Sequence, residues 1–123
     1  MAHLLVVDDD DDVLSLLESD LSEEHKVTAI NNGPDALSLF QSQEKKDPID
    51  LLVTDLVMPR MSGSILAVKI LEIRKIPVIV LSGADPDALS YSRELVDKGV
   101  FKEVMLKPAE TIDILNRISF HLG

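Results

Sequence analysis

The sequence predicts an α/β fold, in which a parallel sheet is covered by helices on both faces. Five short apolar runs alternate strictly with five segments of helical periodicity, which is the pattern of repeated strand–helix units. Apolar residues make up 46% of the chain and aromatic residues only 3%, so leucine, valine and isoleucine must form the core. A length of 123 residues suits one compact domain, which we expect to span residues 1–123.

The five apolar runs are the predicted strands, at residues 3–7, 26–30, 49–54, 77–81 and 103–106. The second run alternates and then meets a turn signal, Asn-Asn-Gly-Pro, at residues 31–34. Asp55 ends the third run. Pro77 stands at the first position of the fourth, where a missing N–H is tolerated. The second, third and fourth strands therefore each have a recognisable boundary in the sequence.

The helical segments follow the strands one by one. The first covers residues 11–24 and the second residues 35–43, and the third follows the segment 58–63. The fourth covers residues 85–99, with Gly99 in the place of a C-terminal cap, and the last runs from Ala109 to the end. One face of the first helix is apolar through Val13, Leu14, Leu17 and Leu21.

Right-handed crossovers leave few topologies for five such units, and we predict the strand order 2-1-3-4-5 of a doubly wound, flavodoxin-like (βα)5 sheet. Ligands of these sheets bind at the carboxyl ends of the strands, beside the point where the strand order reverses. The residues that follow each strand are therefore the candidates for a functional site.

Charged and hydroxyl side chains stand at four of the five strand ends: Asp8 and Asp9, Asp55, Ser82 and Lys107. Strands one and three would be neighbours at a spacing of about 4.8 Å, so their carboxylates would converge. Two carboxylates ~4 Å apart repel by about 4 kcal/mol at an effective dielectric constant near 20. A divalent cation reverses that repulsion, and hard oxygen ligands with room for waters and a phosphate suit Mg²⁺.

Three further aspartates, Asp10, Asp11 and Asp12, fall at the predicted start of the first helix. Unpaired N–H groups and the helix dipole favour negative charge there. We therefore interpret these three as a helix terminus rather than as part of the metal site.

Composition excludes several classes of function. A formal net charge of −10 argues against binding of nucleic acid or of an anionic membrane, since both require a basic face. The chain has no cysteine, which excludes disulfides and cysteine-based zinc sites. The first residues lack the features of a signal peptide, and no apolar run approaches the roughly 20 residues of a membrane span. We expect a cytoplasmic location.

The order of these motifs resembles that of the receiver domains of two-component response regulators, across essentially the whole chain. The matching segments are VVDD (6–9), LLVTDLVMPRMSG (51–63), VIVLSG (78–83) and MLKP (105–108). The resemblance implies that Asp55 accepts a phosphoryl group from a phosphohistidine. It also implies that Mg²⁺ is held by Asp9, by Asp8 mainly through a water, by Asp55 and by the backbone carbonyl of Val57.

Phosphoryl transfer places negative charge on three equatorial oxygens, and catalysis consists mostly of positioning and electrostatics. By the same resemblance, Lys107 would pair with one of these oxygens, and the Ser82 hydroxyl and the Gly83 N–H would hold another. The family also has a cis peptide bond at the position of Lys107–Pro108, although cis bonds make up only about 5–6% of bonds before proline.

The sequence departs from the family at the position three residues before the lysine, where receivers usually carry Tyr or Phe and this chain has Val104. Phe101 is the nearest aromatic residue. We therefore expect signalling through backbone shifts after Ser82 rather than through an aromatic switch. At the two positions that tune the rate of dephosphorylation, Val57 and Ala84 cannot orient water, which predicts slow-to-moderate self-hydrolysis.

The leading hypothesis is a regulatory phosphoacceptor, not an enzyme with a separate substrate. Its expected partners are a sensor histidine kinase or histidine phosphotransfer protein, and a downstream protein or an output domain of its own chain. A homodimer through the fourth helix, fifth strand and last helix is a further expectation. The alternatives are a receiver-like binding module that is not phosphorylated, and a Mg²⁺-dependent phosphohydrolase similar to the haloacid dehalogenases, whose Asp-x-Asp motif residues 9–14 formally fit.

Overall fold

The computed structural model describes residues 2–43, 47–83 and 85–123. Five strands form one parallel sheet in the order β2-β1-β3-β4-β5, and helices alternate with them along the chain. The predicted doubly wound architecture and its strand order are confirmed. Strand β1 lies between β2 and β3, so the strand order reverses beside β1 and β3.

The strands are β1 (His3–Val7), β2 (Lys26–Ile30), β3 (Leu51–Asp55), β4 (Val78–Ser82) and β5 (Glu103–Leu106). The predicted starts of β3 and β4 were each wrong, because both strands begin later than residues 49 and 77. Asp50, just before β3, makes two hydrogen bonds to His3 of β1. Its N–H donates to the carbonyl of His3 at 2.8 Å, and its carboxylate accepts from the His3 N–H at 2.9 Å. Strand β3 ends on Asp55, which is part of the strand rather than the residue after it.

The helices are α1 (Asp11–Leu21), α2 (Gly33–Ser42), α3 (Gly63–Ile73), α4 (Pro86–Asp97) and α5 (Thr111–Leu122). Asp10 caps α1 by accepting from the backbone N–H groups of Asp12 and Val13, so the second half of the aspartate run is a helix start, as predicted. Gly99 lies just beyond α4 with φ of +81°, the left-handed conformation that a C-terminal glycine provides.

The core has two layers, one on each face of the sheet. One layer packs α2, α3 and α4 against the sheet around Phe40, Leu52 and Phe101, and the other packs α1 and α5 around Leu21, Val53 and Ile114. Strands β3 and β4 are buried at every position, as expected for the centre of a sheet covered on both faces. In the part of the chain that the structure describes, no helix has the length and hydrophobicity needed to cross a membrane.

Candidate functional site

The carboxyl ends of β1, β3, β4 and β5 form one rim of the sheet. The register pairs Val7 of β1 with Thr54 of β3, so the residues that follow these two, Asp8 and Asp55, lie at the same level. Ser82 ends β4 at the level of Leu106, the residue before Lys107. Parallel pairing therefore brings the strand-end residues of four separate segments to one edge.

Three carboxylates meet at this rim. Asp8, Asp9 and Asp55 each offer an oxygen within 4.8 Å of the oxygens of the other two, and we call this group the acid trio. Asp8 is buried with 1% of its surface exposed and Asp55 with 8%, whereas Asp9 is exposed. A set of hard oxygen donors with one solvent-facing member fits Mg²⁺, which keeps several waters when it binds.

The ammonium group of Lys107 lies among these acids. Its Nζ is 3.1 Å from Oδ1 of Asp55 and donates a hydrogen bond of 3.2 Å to Oδ2 of Asp8. The lysine backbone is fixed too, because its N–H donates to the carbonyl of Ser82 at 2.8 Å. A side chain from the edge strand thus reaches across β4 to the acids of the two central strands.

Burial and neighbouring charge act on the titration of this group. Burial raises the pKa of Asp55, Lys107 opposes that effect, and the negative charges of Asp8 and Asp9 reinforce it, so the pKa lies above its usual value. Burial lowers the pKa of Lys107, but its bond to Asp55 and the charges of Asp55 and Asp8 outweigh burial and raise it. The lysine therefore remains an ammonium ion beside Asp55, a carboxylate whose ionised form is disfavoured by its burial.

Ser82 is buried with 1% of its surface exposed, and Gly83 after it is exposed. The Ser82 hydroxyl donates to the carbonyl of Gly83 at 3.2 Å. To contact a group attached to Asp55, the hydroxyl would have to leave this bond by rotation. The Gly83 N–H lies at the end of the strand beside the one that carries Asp55.

The loop after Asp55 is tightly packed. A Cβ added to Gly63 would lie 2.2 Å from the carbonyl oxygen of Asp55, and the Gly63 N–H donates to the carbonyl of Leu56 at 2.8 Å. Arg60 adopts φ of +67°, which is unusual for a residue with a side chain. The side chain of Val57 points to solvent, with 72% of the residue exposed.

The sequence departs from the receiver pattern at Val104, and the structure shows where Val104 and the nearest aromatic residue, Phe101, lie. Phe101 is buried in the core with 1% exposed, at the amino end of β5, and Val104 packs partly buried against the same layer. Neither provides an aromatic ring at the rim. The cis bond predicted at Lys107–Pro108 is confirmed, and Ala84 lies outside the described residues.

Sequence reasoning missed the bond between Lys107 and Asp8. The predicted strand order placed both residues on one rim, but it left open which carboxylate the lysine would reach. The apolar run before Asp8 is the signal that could have found this bond, because a carboxylate at the end of a buried strand needs a partner.

The response regulator receiver domain family matches this chain over residues 4–119. Among curated proteins, the chain is 34% identical to the sensor histidine kinase TmoS of Ectopseudomonas mendocina over 95% of this chain and 12% of the kinase. It is 34% identical to the transcriptional regulatory protein GlrR of Escherichia coli (strain K12) over 89% of this chain and 23% of that regulator. The chain spans less than a quarter of either relative's length.

A solved receiver domain protein from Clostridium thermocellum has a similar structure. It superposes with a TM-score of 0.86 at 27% identity, over 99% of this chain and 94% of that one. The family match over residues 4–119 includes the four strand ends that form the rim, and the superposition covers 99% of the chain.

Proposed function

The chain belongs to the family of response regulator receiver domains, and on that premise we propose that it accepts a phosphoryl group on the carboxylate of Asp55. The observation that carries the proposal is the position of Asp55: it ends a central strand, lies within the acid trio, and has the Lys107 ammonium 3.1 Å from its Oδ1. An acceptor carboxylate, a cation-binding acid set and a fixed positive charge are the parts that phosphoryl transfer requires.

In the proposed step, an oxygen of Asp55 attacks the phosphorus of a phosphohistidine. A phosphorus–oxygen bond forms, giving an acyl phosphate, and the phosphorus–nitrogen bond breaks. The electron pair goes to the ring nitrogen, and a proton on the other ring nitrogen makes the departing imidazole neutral. Because the phosphoryl group brings further negative charge beside Asp8 and Asp9, the step needs positive charge at the rim.

Lys107 would supply part of that charge by pairing with a phosphoryl oxygen. The Ser82 hydroxyl, once rotated away from the Gly83 carbonyl, and the Gly83 N–H would hold another oxygen. Asp8, Asp9, Asp55 and the backbone carbonyl of Val57 are the proposed residues for Mg²⁺, which when bound would neutralise carboxylate and phosphoryl charge.

The phosphodonor would be a sensor histidine kinase or a histidine phosphotransfer protein. A downstream protein, or an output domain if this chain is part of a longer protein, would read the phosphorylated state. Two relatives, named as a sensor histidine kinase and a transcriptional regulatory protein, are consistent with both roles. The surface of α4, β5 and α5 is our candidate for these contacts or for a second copy, because Leu106 is 51% exposed and Phe120 is 58% exposed.

The test is incubation with acetyl phosphate and Mg²⁺, followed by intact-mass and peptide mass spectrometry. We expect one phosphoryl group per chain, located on Asp55, and no labelling of Asp55→Asn or of the wild type in EDTA. Labelling at another residue, or none at any Mg²⁺ concentration, would overturn the proposal.

One observation favours a second candidate, the receiver-like module that is not phosphorylated: Val104 occupies the place of the family's usual aromatic residue. This candidate predicts that neither Mg²⁺ nor acetyl phosphate changes the protein. The phosphohydrolase alternative predicts instead repeated turnover of a small phosphate ester, and stoichiometric labelling that stops at Asp55 would argue against it.

A further inference from the structure

We propose that a second copy of this chain packs on the outward side of α3, so that two copies pair through this helix about a two-fold axis. Five exposed residues of α3 follow one another there at the spacing i, i+3, i+4, i+7 and i+8, and we call them the α3 outer face: Ile65, Val68, Lys69, Glu72 and Ile73. The inference goes beyond the proposed function and does not depend on phosphorylation of Asp55.

Helix α3 is unusually apolar for a helix at the surface of a protein. Its inner face is buried in the core through residues such as Leu66 and Ile70. The outer face is largely apolar as well, since Ile65 is 50% exposed, Ile73 49% and Val68 41%. A helix that is apolar on nearly all sides is normally covered on all sides. The outer face therefore needs a cover that the described part of this chain does not supply.

A groove beside the α3 outer face offers room for side chains of the second copy. It lies between α3 and α4 and has a volume of about 210 Å³. Ile65, Val68 and Tyr91 give it apolar and aromatic walls, and Tyr91 of α4 is 47% exposed. Lys69 and Glu72 line it too. An apolar centre beside charged residues is the composition of a protein interface.

The order of residues on the α3 outer face is self-complementary. In an antiparallel pair of α3 helices, a two-fold axis midway between Lys69 and Glu72 places each lysine opposite the glutamate of the other copy. Val68 and Ile73 lie equally far from that midpoint, so each valine would lie opposite the isoleucine of the other copy. Apolar side chains thus meet apolar ones and each charge meets its opposite, which favours a second copy as the occupant.

Charge also favours this face for contact between two copies of an acidic chain. The formal net charge of −10 makes two copies repel each other in most orientations. Glu72, however, is the only acidic residue in the segment 56–84, which contains all of α3. On α4, Lys98 pairs with Glu94 at 3.1 Å, whereas Lys69 and Glu72 form no ion pair with any residue that the structure describes. Both charges are therefore available to the second copy.

The test measures the dimer dissociation constant of the whole chain by sedimentation equilibrium, without a phosphodonor and at about 150 mM NaCl to screen long-range repulsion. A contact through one helix and its groove buries less than the roughly 1,600 Å² of a standard interface. We therefore expect a weak dimer, and the measurement covers a wide range of protein concentration up to about 1 mM.

Charge reversal tests the two-fold pairing directly. We expect Lys69→Glu and Glu72→Lys each to raise the dissociation constant about tenfold or more, because each places like charges opposite one another on both sides of the axis. An equimolar mixture of the two variants should dimerise again, since the glutamates of one variant then lie opposite the lysines of the other. The double variant Lys69→Glu/Glu72→Lys should dimerise as the wild type does.

Val68→Glu and Phe120→Glu separate the α3 outer face from the surface of α4, β5 and α5. Both side chains are exposed, at 41% and 58%, so both variants should fold, which thermal unfolding checks. We expect Val68→Glu to raise the dissociation constant about tenfold or more, and Phe120→Glu to change it less than about twofold.

Three results would overturn the inference: a wild type that stays monomeric at about 1 mM, a larger effect of Phe120→Glu than of Val68→Glu, or charge-reversed variants that do not dimerise when mixed. Phosphorylation takes no part in these measurements. Failure of Asp55 to accept a phosphoryl group would therefore refute the proposed function and leave this test valid.

Discussion

At the scale of single residues, removing the charge of Lys107 and removing the charge of Asp55 have opposite effects on the stability of the folded protein. Lys107 shares its ammonium between Asp55 and Asp8, and both acids are buried. Breaking a buried ion pair from the lysine side leaves carboxylates uncompensated, which is usually strongly destabilising. Removing the charge of Asp55 instead relieves repulsion within the acid trio while Asp8 still pairs with the lysine.

We predict that Asp55→Asn stabilises the metal-free protein. The raised pKa of Asp55 means that folding disfavours its ionised form, so wild-type stability falls relative to the variant as the pH rises through the folded pKa. Thermal unfolding in EDTA should show a melting temperature higher by about 2–4 °C at pH 7 and no difference at acid pH below the usual Asp pKa. Glu24→Gln, at an exposed acid far from the rim, is the control, and a less stable Asp55→Asn at pH 7 would contradict the argument.

A second prediction concerns the lifetime of the acyl phosphate, which depends on the side chain of Val57. It is 72% exposed, lies two residues after the proposed acceptor Asp55, and has no group that could orient an attacking water. We expect the phosphorylated protein to persist for minutes or longer, and Val57→Asn to shorten that lifetime severalfold. The decay of the phosphorylated mass after removal of the donor measures both, and a wild-type lifetime of a few seconds would refute the prediction.

At this scale, the sequence predicts which residues lie at the rim better than it predicts the contacts between them. Asp55, Ser82 and Lys107 follow apolar runs, so the sheet topology alone indicates that they share a rim. The choice of Asp8 as the second partner of Lys107 could not be predicted, because it depends on a side-chain conformation that the Asp10 N–H helps to fix. The hydrogen bond from the Ser82 hydroxyl to the Gly83 carbonyl could not be predicted either, because it too depends on a side-chain conformation.

At the scale of elements, the loop from β3 to α3 is held against β3 by close packing. Gly63 opens α3 directly over the Asp55 carbonyl, which also accepts the hydroxyl of Thr54 at 2.9 Å. Any side chain at residue 63 must therefore push α3 away from β3. The position of the loop depends on the absence of a Cβ there.

We predict that Gly63→Ala lowers the free energy of unfolding by about 1–3 kcal/mol, the usual cost of overpacking a core. The added Cβ would lie 2.2 Å from a backbone oxygen that cannot move without disturbing Asp55. Chemical denaturation measures the change. Gly83→Ala is the control: its added Cβ meets no described atom within 4 Å, so we expect a change within about 0.5 kcal/mol. Equal effects at both positions would show that packing is not the cause.

The loop from β4 to α4 is the element in which we predict the response to phosphorylation. With Val104 on β5 and Phe101 in the core, no aromatic ring in the described part of β5 can turn inward at the rim. Beryllofluoride with Mg²⁺ should therefore shift the backbone amide resonances of residues 82–87 without changes in the ring signals of Phe101. Unchanged amide resonances across this loop would refute the prediction.

Element order could be predicted from the alternation of patterns, but some boundaries could not. Ile49 is fully buried and its apolar side chain predicts a place in β3, yet the strand starts two residues later. The His3 N–H donates there to the side-chain carboxylate of Asp50 and not to a backbone carbonyl. Periodicity detects burial, and burial extends beyond the hydrogen-bonded ladder. Pro77 shows the same effect, since its carbonyl accepts from Leu52 although β4 begins at the next residue.

At the scale of the whole molecule, the dominant electrostatic quantity is the formal net charge of −10. Acidic residues repel one another across a small domain, and this self-repulsion opposes folding. The charge also suits a protein that attracts cations and basic partners rather than nucleic acid.

We predict that added monovalent salt stabilises the metal-free protein, because it screens this repulsion. Raising NaCl from about 20 to 200 mM should raise the melting temperature by about 2–4 °C. Mg²⁺ should add a separate effect that grows with the logarithm of its concentration, about 2.7 kcal/mol at 100 times its dissociation constant, and Asp9→Asn should reduce this part. A melting temperature that falls with NaCl would contradict the prediction.

Strand β5 closes one side of the sheet as an edge strand of four residues, and its outer backbone groups are a template on which another chain could add. Glu103 at its start, held by Arg117 of α5 at 2.6 Å, and Lys107 just after its end place charge at both limits of the strand. Charge at the ends of an edge strand and a short length both disfavour pairing with a strand of another chain. If α5 detaches during partial unfolding, Arg117 leaves Glu103, and we expect aggregation to begin at β5.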